Sequence, residues 1–467
     1  MKVLITGGTG FVGGYLVKKL IKAGHEVNIV TRNPKKYQKH NTLPVKYVGW
    51  DPEFEELPRE ATVSLKGEKV NVVINLQGEN ISAKRWSQKQ KDKIYNSRIH
   101  GTKNLVQGLE RHLIEPLDLF ISTSAVGIYP SNTDEELTEE STEANNFLAG
   151  VCKDWEKEAN KLTKTKRTLI TRVGVVFGNN GGALEKLMPI FKLGGGGPIG
   201  AGKQIMSWIH VKDLVNIYLK AMENENYSGT INAVGPSPVS NSIFTKAFGK
   251  AVQRPAFFPV PPFMLKIIFG EMSCIILDSQ KVLPKKLNEL GHEFLYPEIY
   301  SAMLEICNNV NLLGKPKSYD SFEASQYFEK KKIEQIFEFF CDPHNLERIT
   351  PPFLGFKIVD ISTKKIEEGT LINYKLRVHG VPFKWRTLIK EWSDNKYFID
   401  LQLKGPYKIW HHKHSFTQLP DGVSMEDKVD YEIPFSFFTA PIVGPFIKKD
   451  VRQIFDYRTE ELKKLII

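Results

Sequence analysis

Glycine spacing near the N-terminus marks the clearest site for an anionic ligand. Gly7, Gly10 and Gly13 lie three residues apart, after the apolar run at residues 2–5 and before a helical pattern at residues 15–23. Gly7 allows a tight turn, Gly10 lets the backbone approach a pyrophosphate, and Gly13 lets the helix pack close to the strand. Strand, turn and helix agree, so we expect a bound dinucleotide. The alternative is a glycine turn without a ligand.

The first turn of the predicted helix adds a second anion-binding feature. The backbone N–H groups of Phe11, Val12 and Gly13 have no partner inside a helix that starts there. They also carry the positive end of the helix dipole. We therefore expect these three residues to contact the cofactor phosphates.

The end of the second predicted strand distinguishes between two cofactors. Residues 26–30 lead into Thr31, Arg32 and Asn33. An NAD-dependent enzyme usually places Asp or Glu here, which accepts a hydrogen bond from the ribose 2′-hydroxyl. Arg32 instead offers a planar, always charged donor group that suits a 2′-phosphate. We expect NADP rather than NAD, the alternative being that Arg32 is a solvated loop residue.

Length and composition describe a large globular protein. At 467 residues the chain exceeds one ordinary domain, and ~150 residues per domain suggests two or three. The net charge of +11 is spread along the chain without a dense basic tract. This pattern argues against nucleic-acid binding. A small molecule is the expected partner, and an oligomer is compatible with the sequence.

Cysteine usage and apolar runs bear on the cellular compartment. The cysteines are far apart in the chain, without metal-ligand spacing: Cys152, Cys274, Cys307 and Cys341. We expect free thiols in a reducing compartment and no metal site. The first strand leaves no room for a signal peptide. The apolar stretch at residues 261–277 is interrupted by Lys266 and Glu271 and is too short to cross a bilayer. A cytoplasmic protein without stable membrane insertion is expected.

Strand and helix patterns alternate over the first part of the chain. Short β-branched runs occur at residues 2–5, 26–30, 45–48, 70–76, 119–123 and 168–171. This alternation predicts an α/β fold, a Rossmann-type doubly wound parallel sheet with helices on both faces. Residues 190–310 break the alternation and predict a smaller substrate lobe.

The pattern changes near residue 315, where residues 314–317 resemble a linker. A strand at residues 321–328 and an amphipathic helix at residues 333–340 come next. Further strands are predicted at residues 356–361, 370–378, 383–392, 396–403, 408–416 and 423–433, before a final helix at residues 450–465. This order predicts an α+β domain in which a curved sheet grips a helix.

Several short motifs together suggest a family for residues 1–305. They are Trp50-Asp51-Pro52, Asn75-Leu76-Gln77-Gly78-Glu79-Asn80, Lys84-Arg85-Trp86, Ser97-Arg98-Ile99, Ser124-Ala125-Val126-Gly127-Ile128-Tyr129, Trp155-Glu156, Arg172-Val173-Gly174, Ser207-Trp208-Ile209-His210, Arg254-Pro255 and Gln280-Lys281-Val282-Leu283-Pro284. The set resembles atypical extended short-chain dehydrogenases/reductases of the epimerase/dehydratase group, some of which are labelled cell-division inhibitors. Residues 240–305 would be the C-terminal extension of that domain.

The remainder of the chain shows a looser resemblance. Phe340-Cys341-Asp342-Pro343, Asn345-Leu346 and Phe455-Asp456-Tyr457-Arg458 are similar to motifs of the helix-grip superfamily, which includes polyketide-cyclase-like and lipid-transfer proteins. The resemblance implies a linker at residues 306–317 and a ligand-binding domain at residues 318–467. Aromatic side chains would either line an apolar cavity or fill a solid core, namely Phe383, Trp385, Trp392, Phe398 and Trp410.

The resemblance also implies catalytic roles, which this chain fills only in part. Such enzymes use a Ser, a Tyr and a Lys, the Tyr acting as a general acid or base. Ser124 fits the Ser role and Lys153 is the candidate for the Lys. Four residues before Lys153, however, stands Ala149. Tyr129 is the best substitute for the absent phenol, with a packing role as the alternative.

A second alignment register of the Tyr-x-x-x-Lys motif does not restore it. If Glu156 is aligned with the acidic residue that commonly follows the motif, Leu148 and Cys152 occupy the Tyr and Lys positions. The usual proton donor is missing in both registers. Its loss removes a contribution on the order of 10²- to 10⁴-fold in rate.

The expected function therefore remains open between two classes. The resemblance implies that four residues at the end of the strand predicted at residues 70–76 also contact the cofactor: Asn75, Leu76, Gln77 and Gly78. The first class is an NADP-dependent oxidoreductase or epimerase-like enzyme for a carbonyl or hydroxyl substrate, an apolar one if the C-terminal cavity helps to hold it. The second is a non-catalytic NADP-binding sensor or small-molecule binding protein.

Overall fold

Two compact units make up the chain in a computed structural model, which describes residues 1–39, 43–179, 181–307, 320–432 and 436–466. The N-terminal unit is described up to residue 307 and the C-terminal unit from residue 320. Most of the predicted linker at residues 306–317, including residues 314–317, lies outside the described residues. None of the described helices is both long enough and apolar enough to span a membrane.

Parallel strands form the centre of the N-terminal unit. In chain order its strands are β1 (Lys2–Thr6), β2 (Glu26–Thr31), β3 (Val45–Gly49), β4 (Val72–Asn75), β5 (Leu119–Ala125), β6 (Glu136–Leu137), β7 (Thr168–Val173), β8 (Val175–Phe177), β9 (Ile205–Met206), β10 (Trp208–His210), β11 (Gly229–Ala233), β12 (Val239–Ser240) and β13 (Lys281–Val282). Among the described residues, seven of these strands form one parallel sheet in the order β11-β7-β5-β4-β1-β2-β3. The predicted Rossmann-like α/β fold is confirmed.

Helices cover this sheet. They are α1 (Phe11–Lys22), α2 (Pro34–Lys39), α3 (Gln88–His112), α4 (Phe147–Ala159), α5 (Ala183–Lys192), α6 (Val211–Glu223), α7 (Asn241–Ala251), α8 (Pro262–Phe269), α9 (Cys274–Leu277), α10 (Lys285–Glu289) and α11 (Ile299–Ile306). Leu4, Val73 and Phe120 are fully buried in one core cluster, as parallel strands with both faces covered require. The strand order reverses at β1, so the carboxyl ends of β1 and β4 border the crevice where such sheets bind ligands.

Residues 190–310, predicted as a smaller substrate lobe, also contribute to the main sheet. They contain β11, which pairs in parallel with β7 and extends the main sheet. The sequence pattern misses this strand because it is short and carries Thr230 and Asn232 between its apolar residues. A second buried cluster, which includes Trp208, Phe248 and Met303, lies in this part of the chain.

The C-terminal unit is mainly an antiparallel sheet. Its elements are β14 (Asp320–Glu329), α12 (Ile333–Cys341), α13 (His344–Arg348), β15 (Lys357–Ile361), β16 (Leu371–Val378), β17 (Val381–Ser393), β18 (Tyr397–Lys404), β19 (Ile409–Leu419), β20 (Gly422–Glu432) and α14 (Ser436–Leu465). The sheet order is β14-β20-β19-β18-β17-β16-β15. Each predicted strand is present with small changes of boundary.

Helices α12 and α14 pack against this sheet. Phe337 of α12 contacts the ring of Phe398, and Phe455 of α14 joins a buried cluster with Val429. Helix α14 begins at Ser436, earlier than the predicted Asp450. The sequence pattern misses the first part of this helix because Pro441, Gly444 and Pro445 are unusual in helices.

Candidate nucleotide site and its surroundings

The glycine turn after β1 has the geometry that a phosphate group needs. Gly7 adopts a φ of +67° and its carbonyl oxygen accepts a 2.9 Å hydrogen bond from the Gly10 N–H. A β-carbon on Gly13 would lie 2.4 Å from that oxygen, so only glycine fits there. A β-carbon on Gly10 would meet only the Gly7 oxygen, at 3.2 Å. The space in front of Gly10 is therefore free for a ligand.

Helix α1 points an uncapped N-terminus at this turn. Its N-cap is Gly10, which offers no side-chain hydrogen bond, and its first turn holds no acidic residue. The N–H groups of Phe11, Val12 and Gly13 thus retain the positive end of the helix dipole. This arrangement fits a pyrophosphate.

Arg32 follows β2 immediately and is exposed. It forms no ion pair with any residue in the described part of the chain, so its guanidinium group is available to a ligand. β2 lies beside β1, which places Arg32 at the same edge of the sheet as the glycine turn. This position fits the predicted contact with a 2′-phosphate.

The side chain of Asn75, at the end of β4, forms hydrogen bonds within the fold. Its amide donates hydrogen bonds to the hydroxyl groups of Thr102 and Ser122 at 3.0 and 3.1 Å. Its side-chain oxygen Oδ1 accepts a 2.7 Å hydrogen bond from the Thr6 hydroxyl. Asn75 therefore ties β4 to β1, β5 and α3, and its buried side chain supports the site from below rather than facing a ligand.

The three residues after Asn75 lie beside the glycine turn. Leu76 is half-buried, with its N–H bonded to the Thr6 oxygens, and Gly78 is exposed. Gln77 is buried, and neither its amide nitrogen nor its amide oxygen has a hydrogen-bond partner among the described residues. A buried amide that lacks both partners is costly unless a ligand or water satisfies it. Its backbone nitrogen would lie 3.1 Å from a β-carbon on Gly7, whereas its side-chain amide nitrogen would lie 2.8 Å from a β-carbon on Gly101 of α3.

A buried polar network occupies the carboxyl ends of β5, β7 and β11. Ser124 donates a 2.6 Å hydrogen bond to Glu156 of α4, and Arg172 binds both oxygens of the same carboxylate at 2.9 Å. Arg172 also donates to the hydroxyl of Tyr129, which in turn donates to Asn232 at 2.8 Å. Ser124, Arg172 and Asn232 are directly paired across the three strands.

Burial and hydrogen bonding act in opposite directions on the pKa values of Arg172 and Tyr129. Burial alone would lower the pKa of Arg172, but the hydrogen bonds and charge of Glu156 outweigh it and raise that pKa. Burial raises the pKa of Tyr129 despite the hydrogen bond from Arg172. Tyr129 is 0% exposed, and Ser124 is 3% exposed. Both hydroxyls thus lie within the buried network, and the role of Tyr129 as substitute proton donor stays a prediction.

Helix α4 carries the candidate residues of both registers of the Tyr-x-x-x-Lys motif on different faces. Cys152 faces β5, with its sulfur 3.7 Å from the carbonyl oxygen of Ala125, and burial raises its pKa to about 11. Leu148 packs near Gly127 on the same face. Lys153 points elsewhere: its side chain is 39% exposed and lies 3.4 Å from Glu143. The structure therefore joins Ser124 and Tyr129 through Glu156 and Arg172, whereas Lys153 pairs with Glu143 outside these hydrogen bonds.

Arg98 of α3 is a cation without a carboxylate partner in the described residues. One of its N–H groups donates to the Ile94 carbonyl oxygen at 3.1 Å, and its guanidinium group lies 5.2 Å from the ring centre of Trp155. Burial lowers its pKa to about 10, although the charges of Cys152 and Glu79 act in the opposite direction. A β-carbon on Gly78 would lie 2.9 Å from the guanidinium carbon, so Arg98 lies beside the predicted cofactor residues.

A cavity of about 170 Å³ lies inside the C-terminal unit. Of the predicted aromatic residues, Trp385, Phe398 and Trp410 line it. Phe383 and Trp392 do not line it; Trp392 instead stacks on Phe398 within the adjoining core. Three of the predicted aromatic side chains thus line the cavity, and Trp392 packs in the core beside it.

Sequence reasoning missed a cluster of charged residues at this cavity. Asp400 of β18, His412 and His414 of β19, and Asp427 of β20 lie on neighbouring strands and are nearly buried. The spacing of His412 and His414 places both on one face of a strand. That spacing was a usable signal, but the partners on the flanking strands follow only from the register.

Comparisons with known proteins establish the relationships of this chain. The model of the NAD dependent epimerase/dehydratase family matches residues 3–235, and a domain of unknown function, DUF1731, matches residues 260–306. Over 310 residues, 66% of this chain, the sequence is 36% identical to the chloroplastic epimerase family protein SDR39U1 homolog of Arabidopsis thaliana, of which 86% is covered. The chain belongs to this epimerase/dehydratase family. The epimerase family protein YfhF of Bacillus subtilis is also 36% identical, with 98% of its length covered.

Solved structures agree with this membership. The human epimerase family protein SDR39U1, isoform 2, was crystallised with NADPH; it is 32% identical, with a TM-score of 0.59, and the match covers 66% of this chain and all of that one. The predicted nicotinamide dinucleotide cofactor is thereby confirmed at the level of the family. The relatives include a chloroplast protein, so the cytoplasmic location stays a prediction.

Proposed function

We propose that the N-terminal unit binds NADP(H), and that this is the function its geometry supports best. The uncapped N-terminus of α1 behind an open glycine turn carries the proposal. Arg32 at the end of β2 and the NADPH of the human relative support the phosphorylated cofactor.

The residues around the turn have complementary tasks in this proposal. The N–H groups from Phe11 to Gly13 would hold the pyrophosphate, and Arg32 would hold the 2′-phosphate. The amide of Gln77 would gain the hydrogen-bond partners that it lacks among the described residues. When bound, NADPH supplies a hydride donor.

Calorimetry with NADPH and NADH tests the cofactor proposal directly. We expect tighter binding of NADPH, and an Arg32→Ala variant should lose about 10- to 100-fold in NADPH affinity while NADH binding stays unchanged. Lys18→Ala is the matched control, because Lys18 is an exposed cation toward the other end of α1. Equal affinities for the two cofactors, or an unchanged preference in Arg32→Ala, would overturn the proposal.

Two observations point to different consequences of cofactor binding. The Tyr of the Tyr-x-x-x-Lys motif is missing in both registers, and in the second register the Lys position holds Cys152, whose pKa is raised by burial. This favours a non-catalytic sensor or binding protein. Arg98, a cation beside the cofactor residues without a described counter-charge, favours an oxidoreductase or epimerase-like enzyme for an anionic substrate with a carbonyl or hydroxyl group.

The rate of NADPH oxidation, measured with a panel of small carbonyl acids and uncharged carbonyl compounds, distinguishes the enzyme from the binding protein. Turnover that is lost in Arg98→Met supports the enzyme. Tight NADPH binding without turnover across the panel supports the binding protein. Arg85→Met is a matched control, because it removes an exposed arginine of the same unit.

For the C-terminal unit we propose a helix-grip domain that binds a small apolar molecule. The antiparallel sheet, the two helices packed against it and the enclosed aromatic cavity support this assignment. A cavity of about 170 Å³ suits a ligand of roughly one ring rather than a long lipid chain.

A further inference from the structure

The charged cluster at the C-terminal cavity has more contacts than two neutral histidines can satisfy. His412 and His414 each lie within ion-pair distance of both Asp400 and Asp427. A neutral imidazole has a single N–H, so two neutral rings can donate only two hydrogen bonds to these four contacts. The remaining contacts would set a nitrogen lone pair against a carboxylate oxygen.

The hydrogen bonds themselves reflect this conflict. His412 Nε2 is hydrogen-bonded to Asp427 at 3.0 Å, and His414 Nε2 is hydrogen-bonded to Asp400 at 3.1 Å. His414 Nδ1 lies 2.6 Å from Asp427 yet has no hydrogen-bond partner among the described residues. Because His414 is 3% exposed, this nitrogen has no access to bulk water. A buried polar atom without a partner requires an explanation beyond packing.

The arrangement of the donor atoms matches a metal centre. Asp400 Oδ2 lies 3.3 Å from His412 Nδ1 and 3.1 Å from His414 Nε2, and the three residues offer ligand atoms within 4.8 Å of one another. Zinc binds nitrogen and oxygen ligands at about 2.0–2.2 Å, so two ligands of one ion lie about 3.0–3.5 Å apart. The two separations from Asp400 Oδ2 agree with that range.

The fourth residue fits a supporting role on the other side of the rings. Asp427 approaches the ring nitrogens of His412 and His414 that are not directed at Asp400. Metal-binding histidines usually donate their second N–H to such a carboxylate, which fixes the tautomer and the ring orientation. Asp400, His412 and His414 line the cavity, whereas Asp427 is not part of its lining.

The geometry points to a binding site for a divalent transition-metal ion, of the zinc or ferrous type, formed by Asp400, His412 and His414 at the wall of the C-terminal cavity. Two imidazoles and one carboxylate suit these ions and not Mg²⁺, which prefers oxygen ligands. Three protein ligands leave coordination positions open toward the cavity, where an oxygen atom of a small molecule or a water would bind. The cavity then has one polar anchor within otherwise aromatic walls.

Metal titration of the full-length chain tests this site. The protein is treated with a chelator, freed of it, and titrated with ZnCl₂ and CoCl₂, with MgCl₂ as the contrasting ion. We expect one zinc ion per chain by mass spectrometric metal analysis, a visible cobalt absorption with nitrogen ligation, and no retention of Mg²⁺. Asp400→Asn and His414→Gln should abolish stoichiometric binding, and Asp427→Asn should weaken it about 10- to 100-fold.

His411→Gln is the matched control, since His411 is the neighbouring histidine on β19 and its side chain points to the opposite face of the sheet. It should bind zinc as the unmodified chain does. Should a ligand variant fail to fold by circular dichroism, zinc-edge X-ray absorption of the unmodified chain still gives the count of imidazole ligands, expected to be two. No retained zinc, no histidine ligation, or equal binding in folded His414→Gln would overturn the site.

Discussion

Arg172 and Arg98 are both largely shielded from solvent but differ in what neutralises their charge. Arg172 binds the Glu156 carboxylate with two hydrogen bonds, and the pair links β7 to α4. Arg98 has no carboxylate within ion-pair distance among the described residues, and burial lowers its pKa to about 10. We therefore expect the first arginine to stabilise the fold, and we assign the second to the proposed anionic substrate.

Loss of Arg172 should leave Glu156 as an uncompensated charge. We expect Arg172→Met to lower the free energy of unfolding by about 3 to 5 kcal/mol, because the Glu156 side chain is only 12% exposed. Denaturant unfolding measures this change. Adding Glu156→Gln removes the stranded charge and should recover part of the loss. An Arg172→Met variant as stable as the parent would contradict this account.

Gly10 should be essential for the cofactor but not for the fold. A β-carbon there meets only the Gly7 oxygen at 3.2 Å, so Gly10→Val requires a small local shift while filling the space in front of the turn. We expect NADPH affinity to fall at least about 100-fold with an unchanged circular dichroism spectrum. Gly14→Val is the matched control, because a β-carbon at Gly14 has no atom within 4 Å. Undiminished binding by Gly10→Val would rule out this cofactor site.

At the scale of elements, local signals predicted most of the fold. The glycine turn and α1 follow from spacing alone, and so do the C-terminal strands. β11 was missed because its residues lack an apolar run, yet pairing with β7 buries it. The facing residues of α4 and the cluster around His412 could not be read from the sequence, since both depend on which neighbouring strand each side chain meets.

Glu305 of α11 should make a pH-dependent contribution to stability. It lies 2.8 Å from His210 and is bonded to Lys212, which joins α11 to β10 and α6. Burial opposes ionisation, but the His210 and Lys212 contacts lower its pKa from 4.5 to about 2. A lowered pKa stabilises the fold fully above pH 4.5, and this contribution is lost as the pH falls through about 2.

Glu305→Gln should therefore lower the free energy of unfolding at pH 7 by at most about 3 kcal/mol, a deficit that shrinks between pH 4.5 and 2. Denaturant unfolding across this range measures it. Glu298→Gln, which changes an exposed carboxylate at the start of α11, should have little effect at any pH. A deficit that is constant with pH would mean that shape, not charge, accounts for the role of Glu305.

At the scale of the whole molecule, the C-terminal unit lies outside the region that this chain shares with the relatives described above. The human structure is covered completely by a match to 66% of this chain, and the family models end at residue 306. The antiparallel sheet, its cavity and its charged cluster all follow residue 320. The proposed ligand binding and metal binding of the C-terminal unit would therefore be additions to the region that this chain shares with the human protein.

That unit has its own buried clusters and should fold alone. A fragment that begins at Ser318 should be soluble and unfold cooperatively, since ~150 residues suffice for an independent core. It should bind a ring-sized aromatic probe saturably, because the cavity has a volume of about 170 Å³. Ile389→Phe would fill the cavity, at a cost of about 1 to 3 kcal/mol in stability, and abolish binding. Val359→Phe adds the same ring at an exposed position of β15 and should bind normally. If the fragment folds but shows no saturable binding, the prediction is wrong, and the aromatic side chains around the cavity stabilise the core without binding a ligand.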